Sequence, residues 1–259
     1  MRKYLMDLKV VENLRLHLNY CLLKLTSGRP LPEMIPGQFV QVRVDDSPQT
    51  FLRRPISINF VDKKTNVLWL LVQLVGDGTR RLSKYVSGET VNVMLPLGNG
   101  FSIPQTPVDD RLLLVGGGVG TAPMLYLGET LKSIGFKPEF LLGARTKDDI
   151  MQLDEFKKIG MVYITTEDGS MGECGFVTNH SILIDKKPDW LYACGPKPMM
   201  VAVAKYAKTY GIPCEVSLEN MMACGIGACL CCVENTVKGN VCVCTEGPVF
   251  NINQLTWQI

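Results

Sequence analysis

The sequence predicts a β-barrel followed by an α/β domain with a parallel sheet, and a small cysteine-rich domain at the C-terminus. In the first part of the chain, short apolar runs such as GQFVQVRV alternate with turn clusters such as SGRPLPEMIPG, which is typical of antiparallel barrels and sandwiches. After Pro107, buried strands alternate with helical spacing, which indicates a parallel sheet. From about Cys214, the chain holds a dense group of cysteines. We therefore place the predicted domains at residues 1–104, 105–213 and 214–259.

The individual elements follow from apolar runs and their flanking turn residues. In the barrel region, the predicted strands are GQFVQVRV, RRPISINFV, NVLWLLVQLV and ETVNVMLPL. In the α/β region, the predicted strands are RLLLVGGGVG, PEFLLGAR, MVYITTED and DWLYACGP, and the predicted helices are APMLYLGETLKSIG, DDIMQLDEFKKIG and KPMMVAVAKYAKTYG. The last of these helices precedes the cysteine-rich domain, in which we expect little regular structure.

Composition places the chain among ordinary globular proteins. Hydrophobic residues make up 46%, charged residues make up 20%, and the net charge is +2, so we expect neither a nucleic-acid nor a membrane partner. The N-terminus mixes charged with apolar residues, and no later apolar run approaches the roughly 18 residues that a membrane span needs. The expected compartment is the cytoplasm, where thiols stay reduced.

Six of the ten cysteines lie between Met221 and Cys244. Cys224, Cys229 and Cys232 have the spacing C-x4-C-x2-C, which is that of a plant-type [2Fe–2S] ligand loop. The intervening GIGA is small enough for such a loop to turn its amides inward. Structural zinc is the alternative, but zinc sites favour two C-x2-C pairs or cysteine–histidine sets. Here the second pair is C-x-C without a nearby histidine, and a disulfide staple is disfavoured in the cytoplasm.

The spacing leaves the fourth ligand open. Cys242 and Cys244 alternate along one predicted strand and therefore face the same side, so periodicity does not choose between them. Cys231 falls outside the ligand spacing, and we interpret it as a bystander.

A glycine turn follows the first buried strand of the α/β region. In LLLVGGGVGTAPML, four glycines stand between strand and helix: Gly116, Gly117, Gly118 and Gly120. Backbone N–H groups and a helix N-terminus at such a turn face a pyrophosphate in dinucleotide-binding folds. The strict G-x-G-x-x-G fingerprint fails because Thr121 takes the place of its last glycine, so a tight turn without a ligand is the alternative. CGPKPM, from Cys194 to Met199, is a second strand-to-helix turn, which we expect beside the first.

Two barrel segments are candidate ligand contacts. RRPISI puts Arg54 at the start of a strand, where Pro55 holds it rigidly for clamping a diphosphate. Ser57 lies two residues beyond Pro55, so we expect it on the same face, facing a ring edge. GDGT, which ends at Thr79, precedes RRLSKYV and would present a helix N-terminus to a phosphate. Taken alone, these segments also fit a solvated strand arginine and a plain turn.

The order of these motifs resembles the ferredoxin–NADP reductase superfamily: a barrel with RPIS, a nucleotide fold with GGGVGTAP and CGP, and a C-terminal cysteine loop. PGQF, from Pro36 to Phe39, is similar to that superfamily's barrel strand. The tail is the most specific part. LENMMACGIGACLCCV and then VCTEGPVF resemble the electron transfer subunits of NAD-dependent (class B) dihydroorotate dehydrogenases, as does PLGNGF, from Pro96 to Phe101. The resemblance runs from about Val10 to Phe250.

This resemblance implies FAD in the barrel, a [2Fe–2S] cluster on the tail, and NAD over a Rossmann-like sheet. It implies FAD contacts at Arg54, Pro55, Ile56, Ser57, Leu71, Val72, Gln73, Gly78 and Thr79. It implies NAD contacts at Gly117, Gly118, Gly120, Cys194, Gly195 and Pro196. It implies that the cluster ligands are Cys224, Cys229, Cys232 and Cys244, the last from the VC-x2-GPVF pattern.

The resemblance also implies a reaction and a partner. Electrons would pass from the FMN of a catalytic subunit, which oxidises dihydroorotate to orotate, through the cluster and FAD to NAD+ in de novo pyrimidine biosynthesis. Two copies of each subunit would form a heterotetramer. A flavin exchanges one or two electrons, so it belongs between a one-electron cluster and a two-electron nicotinamide. The resemblance implies an oxidoreductase subunit. We predict no catalytic acid or base in this chain, because His17 and His180 lie in unremarkable contexts, and this fits a subunit that moves electrons while its partner carries out the carbon chemistry.

Other interpretations stay open. One is the electron-input subunit of a sulfite reductase, a hydrogenase or a ferredoxin–NADP transhydrogenase, which shares all three parts. Another is a zinc-knuckle binding module without redox activity, which would be colourless. The residues alone also leave NAD and NADP open: Arg145 would meet a 2′-phosphate, whereas Asp148 and Asp149 would meet a ribose. The resemblance favours NAD.

Overall fold

The structure, a computed structural model, describes residues 2–104 and 111–259. Within these ranges the chain forms two seven-stranded sheets and one two-stranded hairpin. The predicted boundary at 104/105 and the change of pattern after Pro107 involve residues outside the described ranges. The domain boundaries therefore stay predictions.

The first sheet is antiparallel and forms a half-barrel. Its strands are β1 (Tyr4–His17), β2 (Tyr20–Thr26), β3 (Phe39–Val42), β4 (Arg54–Ser57), β5 (Phe60–Asp62), β6 (Val67–Gln73) and β7 (Thr90–Leu97). They are arranged in the order β4-β3-β7-β1-β2-β6-β5. Alternate residues such as Leu8, Leu23, Val40 and Val93 are fully buried in a common core, because side chains along a strand point to opposite faces. A short helix, α1 (Asp77–Leu82), follows β6.

The second sheet is parallel apart from one edge. Its strands are β8 (Leu112–Gly117), β9 (Glu139–Ala144), β10 (Met161–Thr166), β11 (Glu173–Cys174), β12 (Trp190–Cys194), β13 (Cys214–Ser217) and, after the hairpin of β14 (Val233–Thr236) and β15 (Gly239–Cys242), β16 (Val249–Asn251). The order is β11-β10-β9-β8-β12-β13-β16, in which only β16 runs antiparallel to its neighbour. The sheet thus extends beyond residue 213 and takes its last strand from the tail.

Helices cover both faces of the second sheet. They are α2 (Ala122–Ser133), α3 (Leu153–Ile159), α4 (Ile182–Asp185), α5 (Lys197–Tyr210) and, in the tail, α6 (Val243–Glu246). Leu127 and Leu131 of α2 share a core with Phe140 on one face. Val203 of α5 packs with Leu141 on the other. None of the described helices has both the length and the apolar character that crossing a membrane requires.

Polar contacts join the half-barrel to the α/β part. Asn59, just before β5, donates to the carbonyl of Ala122 (3.0 Å), and its side-chain amide exchanges hydrogen bonds of 3.0 and 2.9 Å with that of Gln152. The Tyr126 hydroxyl donates to the carbonyl of Met34 at 2.8 Å. Because these groups are buried or partly buried, each lost partner would leave a costly unsatisfied amide or hydroxyl.

Three sequence predictions differ from the structure in detail. RRPISINFV forms two short strands, β4 and β5, rather than one. The helix predicted over DDIMQLDEFKKIG begins only at Leu153, because Gln152 takes a left-handed conformation (φ 55°) that interrupts helical geometry. The tail contains a hairpin, a helix and a sheet strand, which is more regular structure than its sequence predicted.

Candidate functional site

A cleft of about 850 Å³ opens at the carboxyl edge of the parallel sheet. It lies where the strand order reverses between β8 and β12, the position at which α/β sheets bind ligands. Both halves of the molecule line it: Tyr20 and Gln73 come from the half-barrel, and Gly117, Gly118, Pro196 and Met199 come from the two turns.

The two predicted nucleotide turns are packed directly on each other. A Cβ added to Gly120 would lie 2.4 Å from the Cys194 carbonyl oxygen and 2.5 Å from Gly195 Cα. One added to Gly117 would lie 2.4 Å from Met199 Sδ. Gly120 is therefore required for the approach of the two turns, whereas Gly118 (φ +56°) opens onto the cleft.

Gly118 continues into a 3₁₀ turn that ends at Thr121, and α2 starts at Ala122. Free N–H groups at the start of such a helix can bind phosphate. The site therefore offers the backbone donors that a dinucleotide needs.

Cys194 is fully buried, and its thiol lies 3.9 Å from a carboxylate oxygen of Glu219. Burial, with a smaller contribution from Glu219, raises the pKa of the Cys194 thiol well above its usual range. Desolvation also raises the pKa of the Glu219 carboxyl, although that residue opens onto the cleft. Burial thus shifts both equilibria toward the neutral forms, beside the place where Pro196 lines the cleft.

The far end of the cleft carries charged side chains. Arg145, Asp149 and Glu167 all line it, whereas Asp148 lies on an exposed turn next to it. His17 Nδ1 lies 3.8 Å from Asp149 Oδ1. The cleft thus contains both the arginine for a 2′-phosphate and one of the two acidic residues for a ribose.

The predicted flavin strand is the edge strand β4, and all four of its residues are half-exposed. Arg54 Nε and Nη2 both donate to the Leu52 carbonyl, at 3.1 and 2.8 Å. A Cβ added to Gly78 would lie 3.0 Å from Thr50 Cγ2 and 3.2 Å from Arg54 Cδ. RPIS and GDGT are thus brought together by the fold, and an accessible wall with a glycine under the arginine fits a bound diphosphate.

The hydroxyl of Thr79 stabilises the loop before α1 through hydrogen bonds. Its hydroxyl oxygen accepts from the amides of Val75 (3.1 Å) and Gly76 (3.2 Å). On β6, Leu71 and Val72 are buried, so only their backbone groups are candidates for ligand contact. Gln73 lines the cleft and donates from Nε2 to the Tyr20 hydroxyl at 3.1 Å.

Several backbone amides of the cysteine-rich segment point at sulfur. The amide of Ile226 donates to Cys224 Sγ at 3.4 Å, that of Gly227 to Cys244 Sγ at 3.1 Å, and that of Cys244 to Cys232 Sγ at 3.4 Å. Gly225 and Gly227 reach this conformation at φ +70° and +82°, where other residues are strained. The segment therefore supplies the hydrogen bonds to sulfur that tune iron–sulfur clusters.

The four predicted ligands range from exposed to buried. Cys232 and Cys244 are buried, Cys224 is half-buried, and Cys229 is exposed. Burial raises the pKa of the Cys224 thiol, but hydrogen bonds from Ile226 and from Cys229 outweigh it and bring the value to about 6. Burial raises the pKa of the Cys244 thiol to about 12. Coordination to iron would still deprotonate this thiol, because a metal ion stabilises the bound thiolate.

The predicted strand through Cys242 and Cys244 is wrong. β15 ends at Cys242, and Cys244 lies in the helical turn α6, so the two side chains do not alternate along one strand. The Cys242 thiol is near the group, 4.0 Å from the Gly227 carbonyl, but no backbone amide of the described residues donates to it as that of Gly227 does to Cys244. Cys231 is exposed. The amide that meets Cys244 favours it over Cys242 as the fourth ligand.

In the described ranges, no three His, Cys, Asp or Glu side chains converge as ligands of a single metal ion. A plant-type cluster does not require such convergence, because its two irons share the four thiolates. The donor set of thiolates with inward amides fits a [2Fe–2S] cluster.

The motif PLGNGF holds the tail against the half-barrel. Asn99 Nδ2 donates to the carbonyls of Thr245 (3.1 Å) and Glu246 (3.0 Å) at the end of α6. Gly98 has φ +74°, and a Cβ there would lie 2.6 Å from Pro248 Cδ. The residues after β7 thus fix the helical turn that carries Cys244.

Sequence reasoning missed Tyr20 and Glu219. Tyr20 lies at the start of β2, with its hydroxyl near the Gly118 turn, and burial raises its pKa. Glu219 follows β13 and faces Cys194. Tyr20 belongs to no recognised motif. Glu219 lies in the LENMMACGIGACLCCV segment, but its contact with Cys194 depends on the fold and is not visible in that segment.

Comparisons with known proteins agree on one family. The family model described as "Iron-sulfur cluster binding domain of dihydroorotate dehydrogenase B" matches residues 219–256. The dihydroorotate dehydrogenase B (NAD(+)) electron transfer subunit of Listeria monocytogenes serotype 4b (strain F2365) is 42% identical over 236 residues, covering 89% of this chain and 91% of the relative. That of Fusobacterium nucleatum subsp. nucleatum is 37% identical over 254 residues, covering 94% and 95%.

Solved structures share the fold. A chain from the structure of NADH-dependent reduced ferredoxin-NADP oxidoreductase superposes with a TM-score of 0.86 at 31% identity, covering 96% of this chain and 90% of that one. The FAD/NAD binding domain of nitric oxide dioxygenase from Vibrio cholerae O1 biovar El Tor superposes with a TM-score of 0.70 over 81% and 97%, at 18% identity, a likeness of fold alone.

These findings confirm the predicted fold class and the family resemblance seen in the sequence. The shared identity extends over most of the chain and includes its cysteine-rich tail. The chain belongs to the family of dihydroorotate dehydrogenase B (NAD(+)) electron transfer subunits.

Proposed function

We propose that this chain passes electrons from the FMN of a catalytic partner subunit, through a [2Fe–2S] cluster and FAD, to NAD+. It is an oxidoreductase subunit of a NAD-dependent dihydroorotate dehydrogenase in de novo pyrimidine biosynthesis. The partner oxidises dihydroorotate to orotate, and two copies of each subunit form a heterotetramer. The working compartment is the cytoplasm, in which the ten unpaired cysteines stay reduced.

One observation carries the proposal: the three candidate sites adjoin one another on the wall of the half-barrel. Phe39 of β3 shares a core with Cys232 and Cys244. β3 pairs with β4, which holds the candidate FAD residues. On another strand of the same sheet, Gln73 reaches into the candidate NAD cleft. Electron carriers must lie close together to exchange electrons, and adjoining sites of this kind would hold them close together.

Each cofactor has its own residues. FAD binds along Arg54–Ser57 and at Gly78 and Thr79, with backbone contacts from Leu71–Gln73. NAD binds over Gly117 and Gly118 and beside Cys194–Pro196, while Gly120 keeps the two turns in contact. Cys224, Cys229, Cys232 and Cys244 hold the cluster. When bound, these groups supply one-electron and hydride transfer; the chain fixes their places and the hydrogen bonds around them.

The partner docks where the cysteine loop meets the surface. Cys229 is exposed, and it is flanked by the exposed side chains of Ile226 (46%) and Leu230 (65%), with Met221 (83%) earlier in the same segment. Exposed apolar side chains next to a redox site are typical of a protein interface. A subunit seated here would bring its FMN to the exposed edge of the cluster.

The proposal is tested by co-expressing this chain with a tagged dihydroorotate-oxidising subunit of the same enzyme class. We expect a purified complex with two copies of each chain by mass, which reduces NAD+ when dihydroorotate is added. Leu230→Asp is expected to weaken the complex at least about tenfold, while the visible spectrum of the isolated chain stays unchanged. Leu5→Asp is the matched control, because Leu5 is equally exposed (61%) but lies on β1.

A complex that forms without dihydroorotate-dependent NAD+ reduction would contradict the proposed reaction. A complex equally weakened by Leu5→Asp would contradict the proposed docking surface.

A second candidate is an electron-input subunit of a ferredoxin–NADP transhydrogenase. The 31% identity to the chain from NADH-dependent reduced ferredoxin-NADP oxidoreductase favours it. The two functions are separated by the substrate that drives NADH formation in the purified complex: dihydroorotate for the first, and reduced ferredoxin or NADPH for the second.

A further inference from the structure

Gln41 is a fully buried glutamine whose side chain has no hydrogen-bond partner in the described part of the chain. It lies in β3 at 0% exposure, and neither amide atom of its side chain has a hydrogen-bond partner among the described residues. An unsatisfied buried amide is destabilising, so such a group calls for a specific explanation.

The side chain of Gln41 points out of the half-barrel toward the cysteine loop. Val40 and Val42, its neighbours along β3, are buried in the barrel core. Phe39, on the same side as Gln41, instead packs in the core that contains Cys232 and Cys244. Alternation along a strand therefore places the Gln41 amide on the outer face.

The Gln41 amide lies directly beneath the loop that begins at Cys224. A Cβ built on Gly225 would lie 2.8 Å from Gln41 Cγ and 3.0 Å from Gln41 Nε2. Only a glycine leaves room for the amide at this point, and Gly225 also has φ +70°. The Gln41 side chain and the cysteine loop are therefore packed directly on each other at Gly225.

Gln41 also adjoins the candidate FAD strand. It is registered opposite Pro55 of β4, so the two side chains lie on the same face of the sheet. The buried amide therefore lies between the cysteine loop and the candidate FAD residues. Under the proposed function, electrons pass between these two sites.

We propose that Gln41 is a positioning residue for the iron–sulfur site, where its side-chain N–H donates a hydrogen bond to a sulfur of the bound cluster or its thiolates. The inference rests on the proposed function only in that the cysteines hold a cluster. A carboxamide has two N–H donors, and sulfur in a cluster accepts such bonds. Hydrogen bonds to cluster sulfur stabilise the more negative, reduced form and so raise the reduction potential.

The test replaces Gln41 by an apolar side chain of similar length. Gln41→Met keeps most of the volume and removes the donor. We expect the one-electron reduction equilibrium of the cluster to become about tenfold less favourable, which corresponds to about 59 mV for a one-electron couple. The measurement is a redox titration of the purified holoprotein, followed by the electron paramagnetic resonance signal of the reduced cluster.

Met94→Leu is the matched control. Met94 is registered opposite Gln41 on β7 and packs against the same core, but it carries no hydrogen-bond donor. Its substitution changes packing at the same place and is expected to leave the potential unchanged. An unchanged potential in Gln41→Met, with a full complement of cluster iron, overturns the inference, as does an equal shift in Met94→Leu.

A second measurement uses the unsubstituted chain, so it does not depend on how a variant folds. Protein made with glutamine that carries an isotope-labelled side-chain nitrogen is reduced, and the hyperfine coupling of that nitrogen to the cluster spin is recorded. We expect a resolved coupling. Its absence in protein that contains a cluster overturns the role of Gln41, whereas protein that binds no cluster at all contradicts the proposed function instead.

Discussion

The contact between the two nucleotide turns gives a sharp prediction for Gly120→Ala. The added Cβ would lie 2.4 Å from the carbonyl oxygen of Cys194 and 2.5 Å from its carbonyl carbon. These are backbone atoms, which do not rotate away as a side chain does. To reach ordinary van der Waals contact, the turns must separate by about 1 Å.

Two consequences follow from that separation. Overpacking of this kind costs about 1–3 kcal/mol of unfolding free energy. A displacement of about 1 Å at a reacting centre costs roughly a hundredfold in rate, and the turns that move are the ones that line the candidate NAD cleft. We therefore expect NADH oxidation by the holoprotein with an artificial acceptor to fall between about tenfold and a hundredfold.

The assay compares Gly120→Ala with Gly28→Ala. A Cβ at Gly28 meets no atom of the described residues within 4 Å, so this variant makes the same chemical change without a collision. We expect its melting temperature and NADH oxidation to match the unsubstituted protein. Gly120→Ala with a wild-type melting temperature and a rate within twofold of wild type would refute the argument that the two turns form one binding surface.

Three further predictions follow from the same contacts. Serine in place of Cys224, Cys229, Cys232 or Cys244 is expected to abolish the visible iron–sulfur bands and to lower the amount of bound iron. Cys231→Ser should keep both. Loss of the bands in Cys231→Ser would contradict the ligand set. Gly78→Val places a side chain against Arg54 and Thr50, so bound FAD measured by fluorescence after denaturation should fall at least about tenfold. Gly76→Ala, where a Cβ meets no atom within 4 Å in the part of the chain that the structure describes, should retain its FAD. Desolvation raises the pKa of the Glu219 carboxyl above 4.5, so the folded chain holds this proton more tightly than the unfolded chain. The resulting stabilisation is present below pH 4.5. It is lost as the pH rises through the raised pKa. The melting temperature of the unsubstituted protein should therefore fall as the pH rises through this range, and Glu219→Gln should remove that fall. Parallel curves of melting temperature against pH for the two proteins would disprove it.

The sequence was sufficient for features that depend on local pattern. The carboxyl ends of neighbouring parallel strands meet at one edge, so the turns at Gly118 and Gly195 were expected together, and the structure packs them against each other. The C-x4-C-x2-C spacing likewise predicted a loop with inward amides, and those of Ile226 and Gly227 point at sulfur.

Features that depend on distant segments could not be predicted in this way. Cys244 was expected on a strand, but the chain bends into α6 after Cys242, and Asn99, far away in sequence, bonds the carbonyls at the end of that helix. Gln41 sits within an apolar run and carries no motif. Its importance appears only when Gly225 is placed above it. Tyr20 and Glu219 reach the cleft in the same way, from segments whose pairing is set by the whole fold.

The central claim is that one chain connects NAD, FAD and a [2Fe–2S] cluster, and an anaerobic NADH titration tests it most directly. The visible absorption spectrum of the purified chain is recorded before and after each addition. We predict flavin and iron–sulfur bands in the oxidised protein, both of which bleach as NADH is added. A colourless protein that contains zinc and no flavin would contradict the account.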